Sequence, residues 1–294
     1  MENKQCYRRS DEDTGNVIAL EHINVCVPDQ RLATLFYVTG LGLTRDPYLV
    51  TSVNNMWINI GRNQFHLPTN APLVLRGNIG LVIPDRKALL ARLKSVKSAL
   101  KETKFNFRAD KNHVTATCPW GNKFKIHSPS KKFGDRIALG IAYIEFPVPK
   151  GSAKGICQFY REVLGTPTSL KYSKGVAAHV QVGHHQKLIF NETSKKIRPF
   201  DGHHIQIYVA DFSGPYDKLL ARKLISEESN QHQYRFENII DMDNQKVLFT
   251  LDHEIRSLTH PLFARPLINR NPDQNNVQFG AGHENRSWAL PFSR

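Results

Sequence analysis

The stretch His22-Ile23-Asn24-Val25-Cys26-Val27 alternates polar and apolar side chains, and three later stretches repeat its plan. They are Asn78-Ile79-Gly80-Leu81-Val82-Ile83, Tyr143-Ile144-Glu145-Phe146-Pro147-Val148 and His204-Ile205-Gln206-Ile207-Tyr208-Val209. Side chains of a strand point alternately to its two faces, so Ile23, Val25 and Val27 share a core face and His22, Asn24 and Cys26 share the other. A polar face repeated in four strands implies a lined cavity, the usual place for a ligand.

The ends of the four strands, Asp29, Asp85, Lys150 and Asp211, are 56, 65 and 61 residues apart, which implies one supersecondary unit used four times. A helical pattern follows each strand, at 31–38 (closed by Gly40 and Gly42), 86–100, 153–164 (closed by Gly165) and 215–224. Short strand-like runs come next, such as Met56-Trp-Ile-Asn-Ile60 and Asn63-Gln-Phe-His-Leu67 in the first unit. Each unit reads βαβββ, and the fold class is α+β. A single unit leaves one sheet face uncovered, so units are expected to pair, with their polar faces converging in curved mixed sheets. Pairing sequence neighbours gives domains at 17–130 and 137–252, joined by a linker at 131–136. A polar arm at 1–16 precedes them, and after residue 252 the prolines at 261, 266, 272 and 291 predict an irregular extension over 253–294.

The 294 residues have a mean hydropathy of −0.42 and no run long enough for a membrane span, and the polar start lacks a signal peptide's apolar stretch. Forty Lys and Arg against 26 Asp and Glu give a net charge of +14. The basic residues are scattered, and no nucleic-acid-binding motif accompanies them, which disfavours nucleic acid as a partner. Cysteines at 6, 26, 118 and 157 form no CxxC pair, consistent with reduced thiols in the cytoplasm. Cys26 shares the face of His22 without a group to lower its pKa, and is expected to be inert.

Several of these residues carry a family likeness. Tyr37-Val-Thr-Gly-Leu-Gly-Leu43, Phe159-Tyr-Arg-Glu-Val-Leu-Gly165, the openings His22-Ile-Asn-Val and His204-Ile-Gln-Ile, and Pro119-Trp-Gly-Asn122 resemble the vicinal oxygen chelate superfamily. That superfamily includes glyoxalase I, extradiol dioxygenases, hydroxyphenylpyruvate dioxygenase and bleomycin-resistance proteins. The resemblance covers roughly residues 17–252 and is nearest in plan to the two-domain, four-module members. It implies a divalent ion on the concave face, Fe2+ first and otherwise Mn2+, Ni2+ or Zn2+. The ligands would come from the first and last strands of paired modules, with open positions for two adjacent oxygens of a small substrate.

Held against that pattern, His22 and His66 make half a site in the first pair, while Asn78 and Lys125 stand at the partner positions and His127 is a substitute ligand. A lysine there opposes a cation by charge repulsion. In the second pair His204 keeps a ligand position, Tyr143 does not, and Leu248 and Thr250 replace the expected Glu. Glu145 with His204 is the kernel of a site there, with Tyr143 and Tyr208 as hydrogen-bonding or acid/base groups. The alternative is that these residues only line a pocket or pair within a buried polar network. Glu254, Arg256 and His260 are expected to anchor the extension. His203-His204 and His184-His185 cannot chelate from one face, because strand neighbours point apart.

Two functions therefore stand open. One is a metal-dependent dioxygenase, lyase or isomerase acting on a small substrate with adjacent oxygens. The other is a non-catalytic small-molecule binding protein with a degraded metal site. Either is compatible with a monomer or a homodimer.

Overall fold

A computed structural model of the chain describes residues 9–49, 54–134, 137–173 and 175–269. Cys6 with the start of the polar arm, position 136 of the linker, and Pro272 and Pro291 lie outside the described residues.

Four βαβββ modules follow one another. The first has β1 (Val17–Asn24), a short helix α1 (Gln30–Ala33) continued by a π-helical turn at Thr34–Gly40, then β2 (Thr44–Arg45), β3 (Asn55–Ile60) and β4 (Asn63–Pro68). The second has β5 (Asn78–Val82), α2 (Arg86–Ser95), β6 (Asn106–Ala109), β7 (Val114–Thr117) and β8 (Lys123–His127). The third has β9 (Gly140–Pro149), α3 (Ala153–Leu164), β10 (Thr168–Lys171), β11 (Ala177–Gln181) and β12 (Lys187–Thr193). The fourth has β13 (His204–Val209), α4 (Ser213–Leu220), β14 (Ile225–Asn230), β15 (Gln233–Ile240) and β16 (Val247–Ser257).

Local chemistry explains the joints. Asp29 and Asp85 cap α1 and α2, accepting from the N–H of Leu32 and of Ala88. Helix α3 buries Ile156, Phe159, Tyr160 and Val163 on one stripe and stops at Gly165, whose φ of 64° is open to glycine and strained for other residues.

The sheets pair differently from the expected domains. One sheet runs β14-β15-β16-β13-β1-β4-β3-β2 and the other β10-β11-β12-β9-β5-β8-β7-β6. The first module therefore shares a sheet with the fourth, and the second with the third. Sequence neighbours meet instead through their apolar faces: Phe36 lies 5.4 Å from Phe124, Phe159 5.8 Å from Phe236 and Phe146 5.6 Å from Phe249 between ring centroids. Alternation says which face of a strand is apolar, but the strand edge can bond to any antiparallel partner, so pattern alone left the pairing open.

Two buried amides join the sheets at their middle strands. β1 bulges between Leu20 and His22. The Leu20 N–H donates to Gln186 Oε1 (3.1 Å), and the Leu20 carbonyl accepts from Asn63 Nδ2 (2.8 Å) and Gln186 Nε2 (3.0 Å). The same side chains hold β9: Ile141 N donates to Asn63 Oδ1 (2.7 Å), and its carbonyl accepts from Gln186 Nε2 (2.9 Å). The backbone groups freed at the bulge are thus satisfied, as buried polar groups must be.

The extension also departs from expectation. β16 continues to Ser257, so residues 253–257 are strand. Beyond it the chain turns back over the first sheet. The Phe263 ring packs edge-on to Tyr208 at 4.9 Å, Arg265 bonds Asp46 at 2.7 Å, and Asn59 donates to the Ile268 carbonyl at 2.9 Å. Asn269 closes the strap, accepting from the Gly61 N–H (2.9 Å) and donating to its carbonyl (3.0 Å).

Candidate metal centre

The polar face of the first sheet forms a cup whose floor is set by strand register. β1 runs parallel to β4 with Asn24 beside His66, and antiparallel to β13 with His22 opposite Gln206 and Asn24 opposite His204. β13 runs parallel to β16, setting His204 beside Asp252 and Gln206 beside Glu254. By register Glu254 is to the fourth module what His66 is to the first. The His22 and His66 half-site read from sequence therefore shares one cup with His204. Ligand atoms of His22, His66 and His204 all lie within 4.8 Å of one another, and Glu254 Oε2 is 3.5 Å from His204 Nε2.

The rings are held from behind. Trp57 stacks on His66 at 3.9 Å and 12°, and meets His22 edge-on at 4.9 Å. His22 Nδ1 faces Glu21 Oε2 at 3.3 Å, a carboxylate behind an imidazole that leaves Nε2 free for a ligand. Glu21 reaches the cup because the bulge breaks strict alternation. His66 Nδ1 is 2.7 Å from the Asn24 side-chain amide, whose orientation sets the tautomer. His204 Nδ1 lies 3.2 Å from Arg235 Nη1 and 3.8 Å from Asp252 Oδ2.

The Nε2 atoms of His22, His66 and His204 and both ends of the Gln206 amide are buried without a hydrogen-bond partner. Orphaned polar atoms in such a place are costly unless something binds them. Burial, and then the nearby guanidiniums, hold all three imidazoles neutral: His22 and His204 titrate well below the usual histidine range, and His66 is pushed down to about 3. Three carboxylates (Glu21, Asp252, Glu254) meet two guanidiniums. Arg235 bonds Asp252 at 2.9 Å and Glu254 at 2.5 Å, while Arg256 bonds Glu254 at 2.7 Å and approaches Glu21 at 3.5 Å. Burial raises Glu21 to about 7 and Asp252 to about 6, against the pull of the arginines. The donor set of three free imidazole nitrogens and a carboxylate, inside a cup with one carboxylate in excess, fits a first-row divalent cation.

Of the residues singled out from sequence, His22, His66, His204 and Tyr208 come together here, Tyr208 at the rim under Phe263. Glu145 and Tyr143 do not. They lie on β9 in the other sheet, so the expected Glu145–His204 kernel does not form: each residue's module pairs with a different partner. Glu254 and Arg256, expected to anchor the extension, lie in β16 and face the cup. Glu254, Arg256, Arg235, Asp252 and Glu21 are the site residues the sequence reading missed. A signal for three of them was present, since Asp252, Glu254 and Arg256 continue the alternation past Leu251. Their neighbour His253 points into the core, stacked on Phe236 at 4.3 Å and bonded to Tyr160 at 2.6 Å. His203 also faces away, bonded to Asp201 at 2.6 Å.

In the second cup the four matching positions hold Asn78, Lys125, Tyr143 and Ile189. Lys125 Nζ bonds Glu145 Oε2 at 2.6 Å, Asn78 donates to the same oxygen at 3.3 Å, and His127 Nε2 pairs with the Tyr143 hydroxyl at 2.8 Å. The Tyr143 ring lies across Gly80, where a Cβ would meet it at 2.4 Å. His127, the expected substitute ligand, is thereby occupied. Among the described residues the His22, His66 and His204 group is the one cluster suited to hold a metal.

No protein-family model and no curated protein matches the sequence. Solved structures do match the fold. Glyoxalase I from Zea mays superposes with a TM-score of 0.58 at 13% identity, covering 81% of this chain and 92% of that one. A Bacillus subtilis subsp. subtilis str. 168 protein assigned provisionally as a dioxygenase superposes with a TM-score of 0.54 at 13% identity, covering 82% and 86%. Among the described residues no helix is long and apolar enough to cross a membrane.

Proposed function

From the premise that this chain has the vicinal oxygen chelate fold, we propose that it is a metal-dependent enzyme acting on a small substrate with two adjacent oxygen atoms. A divalent ion, Fe2+ first and otherwise Mn2+, Ni2+ or Zn2+, would be held by His22, His66, His204 and Glu254. The observation that carries this reading is the convergence of ligand atoms of His22, His66 and His204 within 4.8 Å of one another, beside a carboxylate and with the Nε2 atom of each ring buried without a hydrogen-bond partner.

Bound there, the ion would supply Lewis-acid polarisation of the paired substrate oxygens. The chain's own residues divide the remaining work. Glu21 and Trp57 orient His22 and His66. Tyr208, whose hydroxyl burial keeps protonated, and Arg256 are the donors available to a substrate oxygen on the strap side of the cup. Phe263 and the strap exclude water from that side, which strengthens every charge interaction within.

Protein purified without chelator is expected to carry about one first-row metal per chain, by elemental analysis, and a His204→Ala variant none. With Co2+ in the site, acetohydroxamate, a ligand with adjacent oxygens, should shift the visible spectrum. Metal-free protein that takes up no ion refutes the proposal. The second reading, a non-catalytic binding protein, is favoured by one feature: Glu254 already bonds Arg235 and Arg256. A metal-free cup that nonetheless binds a small molecule would establish it.

A further inference from the structure

A groove of about 600 Å³ opens at the ends of the middle strands β12, β9, β5 and β8 of the second sheet, beside the second cup, and its walls carry Arg76, Lys123, Lys196 and Arg198. Glu145 and Glu192 are its two acids, and both are already engaged: Glu145 with Lys125 at 2.6 Å, and Glu192 accepting from Ala153 N at 2.9 Å at the start of α3. Lys123 and Lys196 are exposed and have no ion-pair partner among the described residues. Arg76 is only 8% exposed, lies over the Phe249 ring at 4.3 Å, donates to the Thr250 and Arg198 carbonyls, and keeps its Nε buried without a partner, while the charge of Asp201 acts on it. Arg198 donates to the Val74 carbonyl at 2.5 Å, fixing one wall. Leu75, Phe146 and Ile197 supply an apolar side, and a neighbouring depression that shares Thr193 and Ile197 adds Lys150 and Lys195.

Positive charge in excess of acid, set around a concave and partly apolar space, recruits anions. We propose that this groove binds a small organic anion, with a phosphate or carboxylate head held by the exposed Lys123 and Lys196, the backbone-bonded guanidiniums of Arg76 and Arg198 adding fixed positive charge to the wall, and an apolar body against Phe146 and Ile197. The site is separate from the metal cup, and its ligand does not depend on a metal.

Titration of the full chain with phenyl phosphate and with benzoate, followed by amide NMR, tests this and tells a phosphate head from a carboxylate. The expected result is saturable shifts clustered at 193–198 and around Lys123, with binding at least tenfold weaker in Lys123→Glu/Lys196→Glu. Both side chains are exposed and bond to nothing among the described residues, so that variant should fold. A control pair of equal charge change, Lys94→Glu/Lys97→Glu on and beyond α2, should bind as the parent does. Equal weakening in the control, equal binding of neutral benzyl alcohol, or shifts centred on the histidine cup would each overturn the proposal.

Discussion

The two cups share one strand plan and differ at four matching positions: His22, His66, His204 and Glu254 in one, Asn78, Lys125, Tyr143 and Ile189 in the other. The first leaves polar atoms unpartnered in a buried place, and the second satisfies its own polar groups. The difference teaches that apolar alternation carries the fold, while a handful of inward side chains carries the chemistry and can be exchanged without disturbing the sheet. In the second cup the Lys125 ammonium stands at the position His66 takes in the first, and answers the charge of Glu145 from within the chain.

The sharpest way to break the comparison is to remove ligands on each side. His22→Ala should lower metal affinity by more than about 100-fold, exceeding the effect typical of losing an outer-shell partner, whereas Asn78→Ala and Lys125→Ala should leave metal content unchanged. A reverse experiment rebuilds the second cup: Asn78→His, Lys125→His, Tyr143→His and Ile189→Glu together should raise the stoichiometry toward two ions per chain in calorimetric titration. A stoichiometry still at one would show that the second cup lacks the supporting shell as well as the ligands.

Stability should separate the cups more mildly. Arg265→Ala leaves buried Asp46 with its backbone and Gln64 donors only, and should cost about 1 to 3 kcal/mol in denaturant unfolding. Lys125→Met breaks a pair that is partly open to solvent and should cost about 0.5 to 1 kcal/mol.

The smallest expected effect is on pH dependence. Burial, then the charges of His113, Lys132 and Lys125, lower His127 from the usual histidine value of 6.5 to about 4. Between these values the unfolded chain binds the extra proton, so the contribution of His127 is fully present above 6.5 and is lost as pH falls toward 4. His127→Gln should therefore flatten the acid side of the stability profile relative to the parent, and an unchanged slope would show that His127 titrates alike in the folded and unfolded chain.

Much of this was legible beforehand, for identifiable reasons. The four alternating strands and the Gly165 helix end showed in local pattern, so the βαβββ plan and the vicinal oxygen chelate likeness could be read. His22, His66 and His204 stood out because each occupies a repeated register position, and the fold brings the three together. Glu254 was hidden by a strand boundary drawn too early. Glu21 was hidden by a bulge that alternation cannot foresee. The union of the half-sites was hidden because partner choice between strand edges is a long-range event. Short β2, β6, β10 and β14 have too few residues, or too polar a pattern, to show in periodicity.

That nested pairing also orders the events of folding. The centre of the second cup joins residues close in sequence, Lys125 with Glu145 across 20 positions and His127 with Tyr143 across 16. The first cup joins the far parts of the chain: Asn16 reaches Asp211 across 195 positions and Arg265 reaches Asp46 across 219. Closing a loop some tenfold longer costs about 2 kcal/mol more in chain entropy. The inner sheet can thus close early and locally, while the outer one waits for β16 and the strap to be synthesised. A chain cut short before β16 lacks Glu254 and Arg256, so a completed cup reports that synthesis has passed β16.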